Sequence, residues 1–73
     1  MNKKRKENIL KFAGLLAFFG IHRSIELMRI IKNIDPINHN RSIHFEVLEE
    51  KIDITIKDIR NAIGIYLIRE FGV

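Results

Sequence analysis

Hydrophobic positions fall along this chain in helical rhythm for most of its length, with one stretch where the rhythm is ambiguous. Between residues 9 and 19, Ile9, Leu10, Phe12, Leu15, Leu16, Phe18 and Phe19 cover nearly the whole circumference of a helix. A helix apolar on all sides is covered by more than one neighbour. Gly20 breaks this helix, and Ser24 or the residues just before it can cap the next, which runs to about Ile34. There Ile25, Leu27, Met28, Ile30, Ile31 and Ile34 fall on one side, with Glu26, Arg29, Lys32 and Asn33 on the other. "DPINHN" stops it, because the residue before proline avoids the helical region and asparagine suits turns. The last helix starts at Thr55. In "TIKD" the threonine hydroxyl can accept from an early backbone N–H, and Asp58 suits the positive end of the helix dipole. Its core side is Ile56, Ile59, Ala62, Ile63, Tyr66, Leu67 and Phe71, and Gly72 is a C-terminal stop.

The ambiguous stretch is "RSIHFEVLEEKIDITI". As a helix capped by Ser42 it presents Phe45, Leu48 and Ile52 together, with Ile43 and Val47 opposite. As strands, Ile43/Phe45/Val47 and Ile52/Ile54/Ile56 alternate around "LEEK". Glu, Lys and Leu favour helix, and "LEEK" lacks the Gly or Asn of tight hairpins, so helix is the reading adopted. The expected fold is therefore all-α, with four helices, the last three forming a tri-helical helix-turn-helix-like core. The alternative, residues 43–56 as a β-hairpin, gives an α+β fold. Residues 1–73 are read as a single domain and 1–8 as a flexible basic arm.

The succession "IELMRIIKNI", "SIHFEVLEEK" and "TIKDIRNAIGIYLIREFGV" resembles the three helices of a winged-helix or helix-turn-helix DNA-binding domain over residues 25–73. The shared pattern is a Thr or Ser cap, hydrophobics at i, i+3/i+4 and i+7/i+8, and a glycine followed by an aliphatic residue. The resemblance implies that the last helix lies in the major groove of duplex DNA. On it, Lys57, Arg60 and Asn61 would meet bases and phosphates, and Arg41 the backbone. Three features depart from the pattern. No wing follows the last helix, Asp58 falls on the face expected to meet phosphate, and Ile65 and Ile68 lie on that helix's polar side.

Charge supports an anionic partner without requiring one. Five cations against one anion give residues 1–11 a net +4, whereas two cations against five anions give residues 35–53 a net −3. Lys3, Lys4, Arg5 and Lys6 then act as a nucleic-acid-binding arm or as a solvated tail. The same basic start before an apolar run has the outline of a secretory signal, but Lys11 interrupts it and no A-x-A-like cleavage site follows. The run is also too short to span a bilayer, leaving a membrane as an unfavoured partner. The absence of cysteine fits a reducing cytoplasm.

Nothing in the sequence has the spacing of an active site. His22, His39 and His44 lack companions for a metal site, Asp35 beside Pro36 is a turn residue, and the four glycines belong to no phosphate loop. No catalytic residue, metal or cofactor is expected. A chain of this size buries only about 60% of its unfolded surface and has no disulfide to help. A homodimer is therefore expected, with Phe12, Leu15, Leu16, Phe18, Phe19, Ile65 and Ile68 as its interface or as the contact with another protein. The leading functional expectation is a small dimeric, cytoplasmic DNA-binding regulator. A helical protein-interaction module of antitoxin, immunity or adaptor type is the alternative.

Overall fold

The computed structural model describes residues 3–34 and 40–72. Its elements are α1 (Lys3–Phe19), α2 (Ile21–Ile34), β1 (Ser42–Val47), β2 (Glu50–Thr55) and α3 (Ile56–Phe71). The fold is α+β, which corrects the all-α expectation. The second helix of the supposed tri-helical core is replaced by an antiparallel hairpin, in the place where the alternative reading put one.

The reason lies in which pattern buries more. In the hairpin Ile43 pairs with Ile54 and Phe45 with Ile52, so one face carries Ile43, Phe45, Val47, Ile52 and Ile54. Ile52 and Ile54 on that face are buried and Ile43 and Phe45 pack beside them. A helix would have turned Ile43 and Val47 away from Phe45 and Ile52, so tertiary burial overrode local propensity. The connection is a two-residue turn in which Leu48 and Glu49 both take left-handed backbone, at φ 52° and 65°. That is the turn whose twist matches a hairpin, made here without the usual Asn-Gly.

The core sits between α1, α3 and the inner face of the hairpin. α1 contributes Ile9, Phe12, Ala13 and Leu16, spaced along one stripe. α3 contributes Ile56, Ile59, Ala62, Ile63 and Tyr66. Phe12 meets Phe45 edge-to-face at 5.0 Å between ring centres, joining α1 to β1. Asn8 Nδ2 donates to the Asp53 carbonyl at 3.0 Å, so α1 lies over the far edge of β2.

Both ends of α3 follow the sequence reading. The Thr55 hydroxyl accepts from the Asp58 N–H at 3.1 Å, and Gly72 at φ 67° donates its N–H to the Ile68 carbonyl. α2 begins earlier than expected. Gly20, at φ 86°, ends α1, and α2 starts at once, so Ser24 is inside it and not its cap. Its buried hydroxyl donates to the Gly20 carbonyl at 2.9 Å. Ser42 likewise begins a strand and caps nothing. The stripe expected to bury α2 is only partly covered: Ile31 is buried, but Ile25, Met28 and Ile30 are exposed. Phe71, assigned to the core, is also exposed. Residues 3–8, expected as a flexible arm, are the first turns of α1. Asp35, Pro36 and His39 lie outside the described residues.

Candidate nucleic-acid interface

α1 and α3 meet near their N-termini, 53 residues apart in sequence, and one ion pair fixes the meeting. Arg5 Nε donates to Asp58 Oδ2 at 2.7 Å and Arg5 Nη2 to Oδ1 at 2.8 Å, a two-pronged clamp. Planar guanidinium matches a carboxylate in this way, which sets orientation as well as proximity. Asp58 is buried at 2% exposure, and its carboxyl is held below the usual range, first by the Arg5 hydrogen bonds. Arg5 is raised in turn by Asp58. The expectation that Asp58 lies on the exposed face is thereby corrected: it points into the α1–α3 seam and its charge is compensated there. Thr-x-x-Asp spacing foretold the cap but could not reveal the arginine.

Beside the clamp is an open polar groove of about 460 Å³. Lys4 and Asn8 line it from α1, Lys57 from α3, and Asn40 and Ser42 from the start of the hairpin. Its two acids are both engaged, Asp58 by Arg5 and the Asp53 carboxylate by His44 Nδ1 at 2.7 Å. Lys4 and Lys57 have no ion-pair partner among the described residues. The dipoles of the two helix starts add positive potential at the same end of the molecule, although two of the first N–H groups of α3 are already taken, Ile56 by the Arg41 carbonyl and Asp58 by the Thr55 hydroxyl.

The remaining predicted contacts are distributed around this seam. Lys3 and Lys6 are exposed on the first turns of α1. Lys6 shares a second depression with Asn61, Ile9, Leu10 and Ile65 on a flank of the seam. Arg41 is exposed next to the groove, and its carbonyl accepts from the Ile56 N–H at 3.1 Å. Arg60 is not brought to the groove. It lines a hollow between α2 and α3 with Met28, Lys32 and Ile63. Arg5, predicted as part of a basic arm, is committed to Asp58.

The predicted interface residues also separate. Phe12 and Leu16 belong to the core of the chain itself, and Leu15 and Ile65 are half-buried against it. Phe18, Phe19 and Ile68 are exposed. Leu15 and Phe19 line an apolar groove of about 250 Å³ with Leu27, Ile30, Phe45 and Val47.

Sequence reasoning missed the groove contributions of Asn8 and Asn40, which had no local signal. It also missed the cross-strand cluster in which His44 contacts both Asp53 and Glu46, the latter through Nε2 at 3.0 Å. Both carboxylates raise the His44 pKa above its ordinary value, Glu46 most. Among the described residues no group of three or more potential ligands is arranged to hold a metal ion. No helix among them is long and apolar enough to cross a membrane. No protein-family model, curated protein or solved structure matches the chain.

Proposed function

We propose that this chain is a small cytoplasmic DNA-binding protein that grips the phosphate backbone with the joined N-terminal turns of α1 and α3. The observation that supports this reading is the groove itself. The two acids lining it are both paired, whereas Lys4 and Lys57, from helices far apart in sequence, face it without ion-pair partners among the described residues. Lys3, Lys6 and Arg41 extend the positive surface around it, and Asn61 stands one turn beyond Lys57 on α3. Lysines and helix N-termini recognise phosphate without reading sequence, so affinity here comes from charge. Asn61, whose Nδ2 donates a long 3.5 Å hydrogen bond to Asp58 Oδ1, is the residue that would exchange that contact for a base edge, where an amide pairs with adenine.

This reading does not depend on a helix-turn-helix. The hairpin stands where that motif's second helix would be, and α1, absent from the resemblance, supplies half of the positive surface. Fluorescence anisotropy with a short labelled duplex tests it. Binding is expected at low salt and weakens steeply as salt rises, because each neutralised phosphate releases condensed counterions. A duplex that remains unbound at roughly 50 mM salt removes the proposal.

A further inference from the structure

The hairpin has one edge covered and, among the described residues, one edge without a backbone partner. The far edge of β2 lies beneath α1, tied by Asn8 to the Asp53 carbonyl. Among the described residues, no backbone hydrogen bond other than those of β2 reaches residues 42–47. Open edges are normally blunted by proline, a bulge, an inward-pointing charge or charged side chains, lysine above all. β1, "SIHFEV", has no proline, lysine or bulge, its charged pair Glu46 and His44 are hydrogen-bonded to each other on the outer face, and its register with β2 runs unbroken from Ser42↔Thr55 to Val47↔Glu50.

The turn determines which groups the open edge presents. A two-residue turn with both residues left-handed closes on a hydrogen-bonded pair, here Val47 and Glu50. Alternation along the ladder then directs the N–H and C=O groups of Ser42, His44 and Glu46 away from β2.

We propose that a second copy of this chain pairs with this edge, β1 antiparallel to the partner's β1 about a two-fold axis at Phe45. That register sets His44 opposite the partner's Glu46, and Glu46 opposite the partner's His44, on the outer face. On the inner face it sets Phe45 opposite the partner's Phe45, and Ile43 opposite the partner's Val47. Opposite charges and apolar pairs thus meet across the new ladder, each favourable relative to small neutral residues. Moving the axis to His44 keeps the faces matched but sets the two imidazoles opposite each other, so charge selects the register. The contacts of His44 with Asp53 and Glu46 favour its charged form.

The same axis accounts for the uncovered apolar groove. Antiparallel pairing within one sheet requires a two-fold perpendicular to that sheet, which keeps the helices of both protomers on one face. The groove lined by Phe19, Leu27, Ile30 and Val47 borders β1, so it meets its own copy across the axis. Phe19 and Ile30, now 41% and 57% exposed, are covered there. A two-stranded hairpin is marginal, and the pairing turns it into a four-stranded sheet with one hydrophobic face. The assembly stands on the strand and the groove whether or not the chain binds DNA.

Sedimentation equilibrium on the full chain tests the pairing. The expected species is a dimer of the 8.6 kDa chain. Glu46→Pro removes an N–H on the open side only, a position where an edge strand tolerates proline. It should yield the monomer with helical circular dichroism retained. Glu46→Lys sets like charges across the axis and should raise the dimer dissociation constant about tenfold or more. The chain has no cysteine, so His44→Cys and Glu46→Cys chains mixed under mild oxidation should form the mixed disulfide in preference to either homodimer. A monomer at all concentrations, a dimer indifferent to both Glu46 substitutions, or disulfides formed without preference for the mixed pair would overturn the proposal.

Discussion

Replacing Leu48 and Glu49 by Asn and Gly should stabilise the chain, and the sign of the effect distinguishes the two readings of residues 42–55. Both residues are held at positive φ, 52° and 65°, where a side chain crowds the following carbonyl. That conformation costs an ordinary L-residue roughly 1–2 kcal/mol. Asn and Gly reach it with far less strain, although glycine returns part of the gain through the freer unfolded chain, about 0.5–1 kcal/mol. Leu48 is 55% exposed, so its removal forfeits little burial. The net expectation for Leu48→Asn/Glu49→Gly is a gain of about 1–2 kcal/mol, and for a domain this small a rise in Tm of roughly 5–15 °C. Were these residues in a helix interior, Gly alone would cost close to 1 kcal/mol and Asn would add to the loss. The assay is thermal unfolding by circular dichroism at fixed protein concentration, since any dimer ties Tm to concentration. An unchanged or lowered Tm refutes the left-handed turn, and with it the hairpin.

Other consequences follow from single groups. Asp58 has a depressed native pKa, so its contribution is complete above its unfolded value of about 3.9 and disappears as pH falls through the native one. In urea unfolding, Asp58→Asn should lower stability at neutral pH and flatten the decline toward acid; an unchanged acid limb contradicts the clamp. His44 is raised above its ordinary value by Glu46 and Asp53, so its contribution is complete below about 6.5 and is lost as pH rises through the native pKa. His44→Gln should remove that alkaline decline, which NMR titration of the imidazole can follow directly. Ile59 has no exposed surface, and Ile59→Ala should cost about 2–5 kcal/mol, enough to leave much of the chain unfolded by circular dichroism at room temperature. A cooperative transition with little loss would remove Ile59 from the centre of the core.

Legibility in the sequence depended on how local each signal was. Thr55, Asp58 and Gly72 could be assigned because a cap or a stop involves residues within four positions of one another. The buried stripe of α3 followed from its period, whereas the hairpin did not follow from its own. Residues 43–47 alternate, but Glu49, Glu50 and Lys51 carry helical propensity and the turn lacks its usual residues. What decides the matter is burial against α1 and α3, supplied by segments elsewhere in the chain. Asp58 shows the same limit. Its place on the helix was readable, but its orientation depends on Arg5, and no spacing rule connects residues 53 positions apart. That pairing also moved the candidate site, from one face of α3 to the seam it shares with α1. Lys57 stayed in the site, and Arg60 left it.

The claim that this seam holds nucleic acid is tested most directly by the salt dependence of duplex binding in the Lys4→Ala/Lys57→Ala chain. If each lysine neutralises one phosphate, removing both reduces the slope of log K against log salt by about 2. The Lys32→Ala chain, altered at an exposed cation on α2 away from the groove, should keep the wild-type slope. A double variant that binds with the wild-type slope, or a Lys32→Ala chain that loses as much, contradicts the account.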